Sequence, residues 1–143
     1  MDVNTLNGFN VRVYAICIEN NKLLTIKEPF NGQIVTKLPG GGLEFGEGTI
    51  NCLKRELLEE LNIEITNITP FYIQEHYIES AIKNNKQLLM LYFKVTIKDL
   101  NQLKIMDTSI LDIYWKEIND ECPLSLEADK NMYTYLKSNL KKC

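Results

Sequence analysis

GGLEFGEGTINCLKRELLEELNI, Gly41 to Ile63, is the stretch on which the reading of this chain turns. It opens as a glycine-rich loop and runs into a segment dense in glutamate, with Arg55, Glu56, Leu57, Leu58, Glu59 and Glu60 at its centre. The pattern predicts a helix from Gly48 or Thr49 to Leu61. A helix turns by about 100° per residue, so Glu56, Glu59 and Glu60 fall on one face. Ile50, Leu53, Leu57 and Leu61 fall on the flank beside it, the side expected to meet a core. Asn62 is expected to end the helix in a left-handed cap, where asparagine is the best substitute for glycine. Three carboxylates on one face repel each other, and a merely solvated helix would gain more by alternating them with lysines. A divalent cation over that face would resolve the conflict.

Outward from this helix the chain reads as strands. Val11–Glu19 is apolar and β-branched, as in a strand covered on both faces. Asn20-Asn21 signals a turn into a second strand, Lys22–Lys27, and so a hairpin. Pro29–Gly32 is expected to break the pattern before a shorter strand, Gln33–Leu38, that leads into Pro39-Gly40-Gly41-Gly42. Beyond the helix, Pro70–Glu79 and Gln87–Ile97 read as two strands of a long hairpin linked by Ala81–Lys86. Lys98–Ser109 is polar and reads as a loop. Ile110–Lys116 is a short strand carrying Trp115, and Ser125 is placed to cap a last helix from Leu126 to about Leu140, with Tyr133, Leu136 and Leu140 buried. Strands, helix, strands, helix imply an α/β (mixed α+β) domain with a mixed central sheet.

With 143 residues, 45% of them hydrophobic and 24% charged, the chain is expected to fold as one domain, 1–143, with a substantial core. A formal net charge of -3 argues against non-specific binding to nucleic acid or to an anionic membrane. The first ten residues lack the pattern of a signal peptide, and no apolar run approaches the ~20 residues of a membrane span. Cys17, Cys52, Cys122 and Cys143 are scattered without CxxC spacing, as expected of free thiols in a reducing cytoplasm. His76 is the only histidine, which excludes chemistry that needs two.

Gly41, Glu47, Arg55, Glu56, Leu57, Glu59, Glu60 and Ile63 fit G-x5-E-x7-R-E-U-x-E-E-x-G-U, where U is a bulky aliphatic. In this the chain resembles the Nudix hydrolase family, the MutT-like hydrolases of nucleoside diphosphates linked to a further moiety. Asn62 departs from the pattern's second glycine, at a turn and not at a ligand. With each residue type at roughly one position in fifteen, the glycine, arginine and four glutamates would coincide by chance about once in ten million starting points. The surrounding strands, the PGG entry and the closing helix also resemble the family, whose fold is an α/β/α sandwich.

The resemblance implies roles. Glu56 and Glu60 would be direct ligands of Mg2+, with Mn2+ as a substitute, and Glu59 would hold a further ion or orient a water. The backbone carbonyl of Gly40 would complete the set. Such hard cations take oxygen donors and keep waters and phosphate oxygens among them. Glu47 and Arg55 would pair to hold loop against helix, with Gly41 giving support; Gly42 and Glu44 would stand near the phosphates. The implied reaction is hydrolysis of a diphosphate linkage in a nucleoside triphosphate, oxidised nucleotide, nucleotide sugar or ADP-ribose. By the resemblance Glu56, Glu59 and Glu60 would carry the catalysis, with Glu59 or Glu56 the first choice of base. Glu75, Glu79, Asp107 and Asp112 are the candidates should a later loop supply it. The chain is expected to be cytoplasmic and a monomer or homodimer, a homodimer being common among relatives.

Other readings are weaker. The stretch could be a plain amphipathic surface helix, but six matched positions oppose that. No GxGxxG or GK[ST] is present, so dinucleotide and Walker-type sites are excluded. A Nudix-like domain that binds a nucleotide or a partner without hydrolysis would be expected to lose box carboxylates, and none is lost here. A prenyl diphosphate isomerase would need further features absent from this chain. The arginines of coenzyme A-directed relatives and the distal proline of ADP-ribose relatives are also missing. His76 is expected to be a partly buried strand residue. Phe9, Phe30, Phe45, Tyr72, Tyr77 and Tyr92 are expected to be core more than base-stacking, Trp115 a packing residue, and Lys137, Lys141 and Lys142 favourable charges at a helix C-terminus.

Overall fold

A computed structural model of the chain describes residues 3–80 and 84–140. Lys141, Lys142, Cys143 and part of the Ala81–Lys86 link therefore lie outside the described residues. Asparagines in the left-handed region make the early turns. Asn20 and Asn21 (φ 51° and 60°) join β1 (Gly8–Glu19) to β2 (Lys22–Phe30). Asn31 and Gly32 (φ 50° and 76°) join β2 to β3 (Gln33–Lys37). Two consecutive residues at positive φ match the right-handed twist of the paired strands. The expected break at Pro29 does not occur: Pro29 and Phe30 still pair with Ile34 and Gln33. The ladder on the opposite edge of β2 ends at Lys27, so proline's missing N–H is tolerated there.

β1 is the axis of the sheet. It runs parallel to β6 (Lys86–Ile97) over Gly8–Cys17, and β5 (Ile65–Ile73) flanks β6 antiparallel. Its other edge is shared: Arg12–Tyr14 pair with β4 (Gly40–Gly42), and Ile18–Glu19 with β2. Residues 33–42 thus pair first with β2 and then cross to β1, and that crossing delivers the glycine loop to the site. β7 (Asp112–Glu117) covers the far edge of β2.

Alternation along β1 separates two cores, as period-2 geometry requires. Val13, Ala15 and Cys17 face α1 (Thr49–Leu61), joining Cys52, Leu53, Leu57 and Leu61. Tyr14 and Ile16 face α2 (Glu127–Leu140), joining Met132, Tyr133 and Leu136. The architecture is mixed α+β, with one helix on each face of a mixed sheet. Among the described residues no helix is long and apolar enough to cross a membrane.

Several local expectations are corrected. β5 begins at Ile65 and stops at Ile73, where Pro70–Glu79 was expected. The Gln74 side chain ends it: Nε2 donates to the carbonyls of His76 and Leu88 while Oε1 accepts from the Met90 N–H, taking over the ladder to β6. His76 is consequently exposed and outside a strand, and only an isolated bridge, Glu79 to Gln87, follows. Ser125 does not cap α2; its hydroxyl accepts from the Thr36 N–H and extends the edge of β3. Ile50 is exposed and Cys52 takes its place in the core. Among the aromatics Tyr72 and Tyr92 are core, but Phe9, Phe45 and Tyr77 are exposed. Trp115 packs against the α1-side core, and Lys137 pairs with Asp120.

Candidate active site

The site forms where β4 meets α1. Asn62 closes the helix with φ 59° and ψ 28°, its N–H directed at the carbonyls of Leu57 and Leu58 and its side chain donating to Gln102 O at 3.0 Å. The carbonyls of Glu60 and Leu61, without partners inside the helix, accept from the N–H groups of Met106 and Lys104. The C-terminal end of the carboxylate-bearing helix is therefore fixed by the loop that follows β6.

Glu60 is only 6% exposed, and its Oε1 accepts from the Gly40 N–H at 3.0 Å. Burial pushes its carboxyl up to about 8, against the opposing pull of the Gly40 N–H and the Lys37 charge. Glu56 lies against Gly41 so closely that a Cβ there would come within 2.4–2.6 Å of the carboxyl group. Burial raises its pKa as well, with the Arg55 bonds acting the other way. The charge of Glu59 further opposes ionisation of Glu56, and those of Glu56 and Glu28 oppose ionisation of Glu60, as expected of desolvated carboxylates brought together.

Arg55 ties loop to helix. Its Nε and Nη2 donate to the two oxygens of Glu47 at 3.0 and 2.7 Å, a bidentate pair. Nη2 also reaches the Gly42 carbonyl at 3.2 Å, and Nη1 reaches Glu56 Oε1 at 2.9 Å and Glu59 Oε2 at 3.2 Å. Glu44 stands 3.7 Å from Nη1, while its N–H donates to Glu47 Oε1 at 2.9 Å. The guanidinium holds the Glu47 carboxyl down at about 2. Cys52, on the buried face of the helix, directs its thiol at the Gly42 carbonyl at 3.5 Å.

Among the described residues no three acidic, histidine or cysteine side chains are gathered as a ready metal cage. The donors nevertheless fit a hard divalent cation. Glu56 and Glu60 supply carboxylate oxygens, each binds its present partner through Oε1 alone, and burial makes their charge costly without a cation.

A pocket of about 420 Å³ lies between β1–β3, residues 78–80 and the start of α2, on the other side of β1 from the helix that carries the glutamates. Arg12, Tyr14, Glu28 and Lys37 line one part of it; Leu88 and Met90 are among the apolar residues lining it. Lys37 is 8% exposed and donates to Glu28 at 2.7 Å. Of the four candidate late bases, the pocket lining includes Glu79 and none of the others. Glu75 accepts from Tyr72 Oη at 3.4 Å, Asp107 binds the N–H and hydroxyl of Ser109, and Asp112 lies on β7 and binds the Ile113 N–H. Phe30 alone of the candidate stacking aromatics lines the pocket. Sequence reasoning passed over Arg12 and Lys37. The available signal was a lone charge inside the apolar run VRVYAICIE, where a cation needs a local partner.

Comparison with known proteins agrees with this fold. A NUDIX hydrolase from Nitrosomonas europaea superposes with a TM-score of 0.74 at 23% identity, covering 92% of this chain and 90% of that one. A MutT NUDIX hydrolase from Burkholderia pseudomallei gives 0.76 at 16% identity, covering 91% and 98%. A UDP-X diphosphatase gives 0.73 at 20% identity, covering 94% of this chain and 64% of that one. No curated protein sequence matches significantly. The family model of the NUDIX domain matches residues 8–137, so the chain belongs to the NUDIX family and is a hydrolase of its pyrophosphohydrolase type.

Proposed function

We propose that the chain acts as a single cytoplasmic domain hydrolysing a diphosphate linkage in a nucleoside diphosphate joined to a further moiety, with Mg2+ as the ion and Mn2+ able to replace it. The observation that carries this reading is the convergence of β4 on the glutamate face of α1. The Gly40 N–H donates to Glu60, and the missing side chain of Gly41 leaves the space that the Glu56 carboxyl occupies.

Glu56 and Glu60, with the Gly40 carbonyl, would hold the ion, and Glu59, the most exposed of the three, would face a further ion or the attacking water. When bound, the ion neutralises phosphate oxygens and acidifies water. Arg55 keeps Glu56 and Glu59 oriented through one nitrogen while Glu47 fixes the guanidinium plane. Gly42 and Glu44, at the loop entrance, would border the phosphates. Glu56 or Glu59 would accept the proton, and Glu79 is the late candidate whose position on the pocket wall favours it over Glu75, Asp107 and Asp112.

Nucleoside triphosphates, oxidised nucleotides, nucleotide sugars and ADP-ribose all carry the required linkage; the likeness to a UDP-X diphosphatase makes nucleotide sugars worth including. The test is phosphate or nucleotide release from such a panel with Mg2+, against an EDTA control. Turnover of at least one member that EDTA abolishes is expected. A flat response across the panel would contradict the proposal and favour a binding-only domain.

A further inference from the structure

We propose that Arg12 is the phosphate anchor of this site, its guanidinium edge gripping a substrate phosphate between the pocket and the carboxylate face. The inference rests on the hydrolase reading above and goes beyond it, since Arg12 lies outside the glutamate-rich stretch.

Four observations support it. Arg12 is the one charge in the run Val11–Ile18 of β1 and lines the pocket beside Tyr14 and Lys37. Its orientation is fixed: Nε donates to Tyr14 Oη at 2.6 Å, and Tyr14 is buried with its ring 5.9 Å from that of Tyr92. Its terminal nitrogens make no hydrogen bond among the described residues, whereas Lys37 is committed to Glu28 and Arg55 to Glu47, Glu56 and Glu59. Finally, a Cβ on Gly42 would lie 3.4 Å from Nη1, so the fork ends against the glycine loop. Glu56 and Glu60 are near enough to act on its charge, yet neither forms an ion pair with it.

A cation held among apolar residues with two unused donors is an incomplete arrangement. The planar guanidinium edge matches two oxygens of one phosphate, which a carboxylate-rich site otherwise repels. Lysine, a point charge, would not reproduce that fit. Tyr14 is then a positioning residue, acting only through the guanidinium.

The test uses methylenediphosphonate, an unhydrolysable diphosphate, titrated calorimetrically with Mg2+ into the wild-type protein and variants. Arg12→Ala should weaken binding at least tenfold, Arg12→Lys should recover part of the loss, and Tyr14→Phe should weaken it only severalfold. In turnover of whichever nucleotide the wild type hydrolyses, Arg12→Ala should raise KM more than it lowers kcat. Circular dichroism establishes folding, and if Arg12→Ala does not fold, Arg12→Gln makes the same comparison. Equal binding by wild type and variant, or no binding by either, overturns the assignment. Diphosphate binding that depends on Arg12 without turnover of any nucleotide supports the anchor and overturns the hydrolase reading alone.

Discussion

Asparagine does much of the work that glycine does elsewhere in such folds: Asn20, Asn21, Asn31, Asn62, Asn67 and Asn85 all sit at positive φ. A short polar side chain tolerates this conformation where a branched one does not. Asn62→Gly should change stability by no more than about 0.5 kcal/mol, while Asn62→Val should cost about 1–2 kcal/mol in urea denaturation. Gly40 and Gly41 separate two needs. At Gly40 (φ 148°) a Cβ would meet the Val13 carbonyl oxygen at 2.1 Å, so Gly40→Ala should disrupt the fold. At Gly41 the obstacle is only the mobile end of Glu56, so Gly41→Ala should melt near wild type yet lose tenfold or more in turnover.

A further residue, Asp129, has no part in the proposed chemistry. It is buried on α2, accepts from Tyr92 Oη at 2.5 Å, and burial raises its pKa from 3.8 to about 6. A carboxyl raised in the native state contributes stability that is fully present below pH 3.8 and lost as pH rises through about 6. Asp129→Asn keeps an acceptor for Tyr92 and removes the titration. Its stability relative to wild type should therefore rise by up to about 3 kcal/mol between pH 4 and 7, measured by denaturant midpoints. A constant difference across that range would contradict this account.

At the scale of elements, α1 serves two surfaces at once. Leu53, Leu57 and Leu61 are fully buried, so Leu57→Ala should cost about 2–5 kcal/mol of stability. Arg55→Lys spares that core but gives up the two-pronged bond to Glu47 and the reach to Glu56 and Glu59. It should keep most of the melting temperature while lowering turnover tenfold or more. The helix, its left-handed end and its leucine flank were legible because 3.6-residue periodicity is strong over thirteen residues. The end of β5 was not, since it depends on Gln74 inserting a side chain into a ladder sixteen residues away. Ser125 misled for a similar reason, its hydroxyl being claimed by a strand distant in sequence. Local patterns carry no information about such competition.

For the molecule as a whole, the β3–β4 crossing matters most. It places the glycine loop against the helix and opens the pocket on the other side of β1. The glutamate cluster could be read from spacing along one helix, whereas the meeting of Arg12 and Lys37 could not, because they lie on two separate strands, β1 and β3, that only the fold brings to that pocket. The central claim is that the buried Glu60 carboxylate, held by Gly40, serves a divalent ion. The most direct measurement is kcat of Glu60→Gln at saturating nucleotide and Mg2+, with folding checked by circular dichroism. The amide oxygen can still accept from the Gly40 N–H, so the account predicts an intact fold and turnover reduced at least a hundredfold. Undiminished turnover by the folded variant would contradict it.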